Sequence, residues 1–306
     1  MQSKFSITIL GNGSAAPHKN RKPSAQWLNI ATENWLMDCG EGTQFSIIKQ
    51  KLKKSKLTGI CISHLHADHF LGIFGLLSTF SLEKRNQELI IIAPKYLKNM
   101  IEVILLQNNF SFCFEIRFIE TDNVIEKTLM YENNGIKISA FPLKHRIFTT
   151  GFQFSLIKSF IKLNKEKINE LDLDKKSKLS LLKGLSAGEL QKDTFEYNDL
   201  TIAVSINKSY SYCSDTNYFD KLPTEVQQSD ILYHEATFGE EKLERAFLTG
   251  HSTAKQAAKV ALKSNAKKLL IGHFSSRYDQ IDFLLDEAKE VFENTYIAEE
   301  NTTYEI

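Results

Sequence analysis

The chain has only four cysteines, Cys39, Cys61, Cys113 and Cys213, and no two of them form a C-x-x-C pair. That spacing excludes a disulfide-stapled scaffold and a cysteine-built zinc site, and reduced thiols of a cytoplasmic protein are expected. No stretch approaches the ~20 apolar residues of a membrane helix, and Met1-Gln2-Ser3-Lys4-Phe5 runs into a strand without a signal peptide. Neither a membrane partner nor a nucleotide cofactor is expected. An excess of one charge is also missing: 38 Lys and Arg against 37 Asp and Glu leave +1. That balance does not exclude a polyanionic partner, because the distribution of charge matters more than its sum. Proline is scarce, with none between Pro142 and Pro223.

What is present is 306 residues, 42% of them hydrophobic, enough for one large or two ordinary domains. Ser6 to Leu10, Gln26 to Ile30, Asn34 to Met37, Leu89 to Ala93, Ile136 to Phe141, Thr201 to Ile206 and Leu269 to Ile271 read as strands. The alternation from Phe110 to Phe118 predicts another. Helices are predicted over Thr43 to Leu52, Pro94 to Gln107, Thr253 to Ser264 and Tyr278 to Glu293. Strands interspersed with helices favour a layered α/β sandwich. Lys158 to Lys192, with nine lysines against five acidic residues, reads as a protruding helical insertion.

The most informative run is His64-Leu65-His66-Ala67-Asp68-His69, an H-x-H-x-D-H pattern directly after the apolar segment Gly59 to Ser63. It holds four potential ligands within six residues. A regular helix turns ~100° per residue and cannot gather all four on one side, so a loop between strand and helix is expected. Imidazole and carboxylate together suit a borderline divalent ion such as zinc, and manganese or iron would also be accepted. Three further ligand types stand just past β-prone segments: His145 after Ile136 to Phe141, Asp215 after Tyr210 to Ser214, and His273 after Leu269 to Gly272. Loops from several strands can converge on one site.

With those residues in view, the chain resembles the ribonuclease Z family of tRNA 3′-processing endonucleases, within the metallo-β-lactamase fold. The resemblance spans the whole chain. It rests on Gly11-Asn12-Gly13-Ser14-Ala15-Ala16-Pro17, Asp38-Cys39-Gly40-Glu41-Gly42-Thr43-Gln44, the H-x-H-x-D-H run, and Ser214-Asp215-Thr216. His234-Glu235-Ala236-Thr237, Gly250-His251-Ser252-Thr253-Ala254 and Gly272-His273-Phe274-Ser275-Ser276-Arg277-Tyr278 complete it. It implies a four-layer αββα sandwich over residues 1–306, interrupted at about 155–196 by an arm that grips tRNA phosphates, with Lys178 and Lys183 near its tip. It implies two zinc ions per subunit, one held by His64, His66 and His145, the other by Asp68, His69 and His273, with Asp215 bridging them. Asp38 would orient a ligand imidazole; a plain turn-forming Asp is the alternative.

The resemblance also gives Asp68 the role of proton acceptor for the attacking water, and implies a 3′-hydroxyl on the tRNA and a 5′-phosphate on the trailer. The departing oxygen needs a proton, which His251 would supply while Glu235 keeps it cationic; otherwise His251 simply caps the helix near Ser252. Lys19 and Arg21 match a P-x-K-x-R loop that handles the acceptor-stem end, although Lys22 stands where Asn is common. Precursor tRNA is the implied substrate and a homodimer the implied assembly. Two other readings compete: a same-fold hydrolase of small phosphodiesters or sulfate esters, indifferent to loss of Lys158 to Lys192, and a non-catalytic RNA-binding scaffold, which predicts missing ligands.

Overall fold

In chain order the strands are β1 (Phe5–Gly11), β2 (Gly13–Ser14), β3 (Ala25–Ile30), β4 (Glu33–Cys39), β5 (Leu57–Cys61), β6 (Leu89–Ala93), β7 (Ile116–Glu120) and β8 (Thr128–Asn133). They continue with β9 (Ile136–Pro142), β10 (Thr150–Leu163), β11 (Thr201–Cys213), β12 (Ile231–Glu235), β13 (Leu269–Gly272), β14 (Phe274–Ser275), β15 (Thr295–Ile297) and β16 (Thr303–Glu305). The structure is a computed structural model that describes residues 4–16, 18–107, 111–164, 166–167 and 201–306. One seven-stranded sheet runs β16-β1-β3-β4-β5-β6-β7 and the other β15-β13-β12-β11-β10-β9-β8, while β14 and β2 form a two-stranded ribbon. Both large sheets mix parallel and antiparallel pairs.

Helices α1 (Thr43–Lys49), α2 (Ala67–Phe70), α3 (Gly72–Leu82) and α4 (Lys95–Gln107) follow strands of the first sheet. Ile47, Leu76 and Leu97 from α1, α3 and α4 pack with Leu36, Ile60 and Ile91 in one buried cluster. Helices α5 (Leu222–Glu225), α6 (Leu243–Thr249), α7 (Ala254–Lys263) and α8 (Asp282–Lys289) belong with the second sheet. There Leu222, Val260 and Leu284 pack with Cys213, Leu232 and Ile271 in another cluster. Between the sheets, Tyr212 donates to Asp38 at 2.8 Å, Tyr131 donates to Glu33 at 2.9 Å, and Tyr210 donates to Gln26. The layers are therefore helix, sheet, sheet, helix. Among the described residues, no helix is long and apolar enough to cross a membrane.

Four expectations need correction. Residues 111–115 are not strand: Phe112 stacks on Phe114 at 5.2 Å and Arg85 lies over the Phe114 ring, so the alternating aromatics follow side-chain packing, and β7 starts only at Ile116. The last helix covers Asp282–Lys289 alone, because Tyr278 is drawn out of it by its hydrogen bond to Glu241 at 2.6 Å. The H-x-H-x-D-H run is loop only as far as His66; Ala67–Phe70 is a helical turn that carries Asp68 and His69. Finally, Lys158 to Leu163 is not helical but continues β10, in keeping with the β-forming Phe160 and Ile161.

By contact the chain divides into two compact units, Met1–Leu156 with Lys208–Ile306, and Ile157–Asn207. The first carries every residue of the candidate site below. In the second, the described residues are the last part of β10, the first residues of β11 and a few between, with Lys158 and Lys162 exposed. Lys178 and Lys183 lie outside the described residues, as does Pro17.

One close approach sets the position of the ligand-bearing turn. A Cβ on Gly72 would fall 2.1 Å from the Gly40 carbonyl oxygen, and one on Gly40 would fall 2.3 Å from that of Asp68. Only glycine lets the start of α3 sit directly on the end of β4.

Candidate active site

Each reactive side chain sits at or just past the end of a strand. His64 and His66 follow β5, Asp68 and His69 lie in α2, His145 follows β9, Asp215 follows β11 and His273 follows β13. Glu235 ends β12 and Asp38 lies one residue before the end of β4. Asp38, Asp215 and His273 have left-handed backbone, with φ of 54°, 57° and 59°. Non-glycine residues are held there only by surrounding structure, and such strain collects at functional sites.

Two donor groups converge on the two oxygens of Asp215. Oδ2 lies 3.5 Å from His64 Nε2 and 3.6 Å from His145 Nε2, and His66 Nδ1 is 3.0 Å from the first nitrogen and 3.2 Å from the second. Oδ1 lies 3.2 Å from His69 Nε2 and 3.1 Å from His273 Nε2, which are 3.2 Å apart. Asp68 Oδ2 completes that group at 3.5 Å and 3.6 Å from the same two nitrogens. Ligand atoms around a tetrahedral ion bound at ~2.0–2.1 Å stand roughly 3.3 Å apart, so both groups have the spacing of metal-binding clusters.

The electrostatics agree with that spacing. Burial, reinforced by neighbouring imidazoles, holds His64 and His145 below the ordinary histidine value and His66 at about 4, so each offers a neutral ring. Burial would also depress His69, but Asp215, Asp68 and Asp38 together push it well above. Burial would raise Asp68, yet His69 and His273 hold it well below the carboxylate range. Three buried or half-buried carboxylates facing this pocket call for positive charge, which divalent ions supply.

The rings are held from behind. Asp38 is fully buried and accepts from Ser63 N at 2.8 Å, Ser63 Oγ at 2.9 Å and His69 Nδ1 at 2.7 Å, besides Tyr212. Since the Ser63 hydroxyl donates to Asp38, it accepts from His64 Nδ1 at 3.0 Å. One carboxylate therefore fixes His69 directly and His64 through a serine, and frees both Nε2 atoms toward Asp215. His145 Nδ1 donates to the Gly250 carbonyl at 2.7 Å. Gly250 has φ 79°, and a Cβ there would lie 2.6 Å from that same nitrogen. Ala15 N donates to Asp68 Oδ2 at 2.6 Å. Partners of this kind typically set 10–100-fold in metal affinity. Asp38→Asn is accordingly expected to weaken metal binding about 10–100-fold with little change of fold; chelator competition on the purified variant checks it, and wild-type affinity would refute the role.

Beside the donor groups lies a proton-transfer pair. Glu235, buried, accepts His251 Nδ1 at 2.9 Å and Thr216 N at 2.8 Å on Oε1, and Thr237 N and Oγ1 on Oε2 at 3.2 Å and 2.5 Å. Burial would raise Glu235, but His251, by charge and hydrogen bond, and then His273 hold it at about 2. Burial would lower His251, but Glu235 outweighs it and raises the imidazole to about 9. The cap of α7 is Thr253, in a capping box with Gln256, so His251 is not a helix cap. Although His251 lies near Asp215 and His273, a cationic ring whose Nδ1 binds Glu235 has no lone pair for an ion; it has Nε2–H to give.

The two remaining loop residues differ. Lys19 is exposed and pairs with Asp279 at 3.1 Å. Arg21 is buried, and its Nη2 donates to the carbonyls of Ser275 at 3.1 Å and Tyr278 at 2.6 Å, so it ties its loop to the segment after His273. Sequence reasoning missed Ser63, Tyr212, Thr237 and the Ala15 amide. Ser63 borders the ligand run at His64 and Thr237 ends the run His234-Glu235-Ala236-Thr237, which was the available signal; Tyr212 and the amide had none.

The model of the family described as anti-Pycsar protein Apyc1 matches residues 5–162, a stretch that holds His64, His66, Asp68, His69 and His145 but ends before Asp215. Ribonuclease Z from Bacteroides fragilis is 37% identical over 305 residues, covering 97% of this chain and 98% of its own. Among solved structures, the short form of human tRNase Z is 27% identical, with TM-score 0.70 over 98% of both chains. The metallo-β-lactamase fold protein YhfI from Bacillus subtilis is 16% identical with TM-score 0.71 over the full length of both, a likeness of fold. The chain has the metallo-β-lactamase fold and belongs to the ribonuclease Z family, its residues 5–162 also belonging to the family described as anti-Pycsar protein Apyc1.

Proposed function

We propose that this chain is a metal-dependent endoribonuclease that removes the 3′ trailer from precursor tRNA in the cytoplasm, leaving a 3′-hydroxyl on the tRNA and a 5′-phosphate on the trailer. The observation that carries the reading is the pair of donor groups sharing Asp215, with a cationic His251 at its side, in a chain 37% identical end to end to a ribonuclease Z. His64, His66, His145 and Asp215 Oδ2 would hold one zinc, and Asp68, His69, His273 and Asp215 Oδ1 the other. When bound, such a pair supplies Lewis acidity and makes water nucleophilic near neutral pH.

The side chains do the rest. Asp68, its Oδ2 steadied by the Ala15 amide, accepts the proton of the attacking water through its carboxylate. As the new P–O bond forms, the bond from phosphorus to O3′ of the tRNA breaks. His251 donates its Nε2 proton to that O3′, and Glu235 keeps the imidazole in place through Nδ1. Lys19 is exposed for the acceptor-stem end, while Arg21 shapes the loop that presents it. The unit Ile157–Asn207 is the tRNA-gripping arm of this reading, contacting phosphates through Lys158, Lys162, Lys178 and Lys183.

A homodimer is part of the proposal. An apolar cleft lined by Phe70, Leu71, Phe74, Tyr96, Met100 and Val103 lies between the end of α2 with the start of α3 and helix α4, and Phe45 and Ile48 on α1 are also exposed. Exposed apolar patches of this kind mark association surfaces. The function is tested by incubating the zinc-loaded protein with tRNA carrying a 3′ trailer and mapping both ends. A 3′-hydroxyl on the tRNA and a 5′-phosphate on the trailer are expected; hydrolysis of small diesters with tRNA left intact would favour the competing hydrolase. Light scattering on the same sample reads the dimer.

A further inference from the structure

The Thr237 hydroxyl touches both halves of the site. Its Oγ1 lies 2.5 Å from Glu235 Oε2, 3.0 Å from His273 Nδ1, 3.0 Å from the His273 carbonyl oxygen and 3.4 Å from His251 Nδ1. A hydroxyl has one proton and two lone pairs, so these contacts cannot all be donated. In the metal reading His273 offers its Nε2 lone pair to the ion beside Asp215, so its proton is on Nδ1 and is given to Oγ1. The hydroxyl proton then goes to the shorter and charged acceptor, Glu235 Oε2. His251 has already given its Nδ1 proton to Glu235 Oε1 at 2.9 Å.

We propose that Thr237 is a positioning residue that couples the proton-donor pair to the metal centre, passing the orientation set by Glu235 to His273. The inference rests on the metal reading given above, and deepens it. Thr237 does for His273 what Ser63 does for His64 through Asp38. The two relays differ in one respect: Asp38 serves only the metal centre, whereas Glu235 also holds His251. The need for an anchor is local, because His273 stands at φ 59° between the ends of β13 and β14, and its ring has no other side-chain hydroxyl behind it among the described residues. Without Oγ1, a buried Nδ1–H would lack its acceptor. The ring would then be free to turn or to change tautomer.

Two substitutions separate this role from simple packing. Thr237→Val keeps the shape and removes the hydroxyl, and Thr237→Ser keeps the hydroxyl and removes a methyl. The probe is Co²⁺ alone, titrated into metal-free protein, with affinity and visible spectrum recorded for each equivalent and the melting temperature of the apo form beside them. Thr237→Val is expected to weaken one of the two Co²⁺ equivalents about 10–100-fold and alter its spectrum, while the other is spared. Thr237→Ser is expected to stay within about threefold of wild type. If the valine variant does not fold, Thr237→Ala carries the same expectation. Wild-type Co²⁺ affinity in the valine or alanine variant overturns the coupling role and leaves the metal reading intact, as does a loss in Thr237→Ser equal to that in Thr237→Val. Failure of the wild-type protein to bind Co²⁺ sinks the metal reading and the coupling together.

Discussion

Asp215→Asn is expected to reduce trailer removal by about 1,000-fold or more. The substitution keeps the shape and, because asparagine tolerates left-handed backbone, keeps the turn at φ 57°. What it removes is one of two oxygens on which six ligand atoms converge, together with the negative charge between them. Metal assistance is worth several kcal/mol of transition-state stabilisation, and each ~1.4 kcal/mol is tenfold in rate. Chelation of the wild-type protein is expected to give a comparable loss that added zinc restores, whereas zinc should not rescue Asp215→Asn. Single-turnover cleavage of a labelled precursor measures both, and a variant within tenfold of wild type would remove Asp215 from the centre.

The second large effect concerns His251. Replacement by alanine is expected to cost about 10²–10⁴ in kcat, the usual contribution of a positioned general acid, with KM and metal affinity little changed. The pH dependence gives a sharper test. A group whose folded pKa is raised to about 9 acts as an acid below that value, so the rate falls as pH climbs through about 9. The same shift contributes stability that is complete below the unfolded value of ~6.5 and disappears through about 9. Glu235→Gln removes the charge that outweighs burial, so the alkaline limb moves to lower pH, toward or below ~6.5. An alkaline limb that stays in place in Glu235→Gln would show that another group donates the proton.

Much of the frame could be read from residue order alone. The buried strands β6 and β13 are short apolar runs bounded by turn residues, and the ligand types stood just past such runs. Where the reading failed, tertiary contacts had overridden a local pattern. Phe112 and Phe114 alternate as in a strand but stack on one another, and Tyr278 leaves a helical pattern to reach Glu241. The turn at Ala67–Phe70 was missed because four ligands were assumed to need one face. In the structure they are split: the extended pair His64 and His66 serves one oxygen of Asp215, and the helical pair Asp68 and His69 serves the other. Arg21 is a similar case, since its charge suggested RNA while its burial turns it to backbone carbonyls. The Ala15 amide bonded to Asp68 could not have been read at all, because a backbone donor leaves no signature in residue identity.

The left-handed backbone at Asp38, Asp215 and His273 has a cost for the chain as a whole. Glycine at any of these positions would relax the turn, which for other residues stores on the order of 1 kcal/mol or more. The relief would not return as stability, because glycine at Asp38 would strand the buried Ser63, His69 and Tyr212 donors that the carboxylate satisfies, so the strain persists as the consequence of aiming these side chains inward.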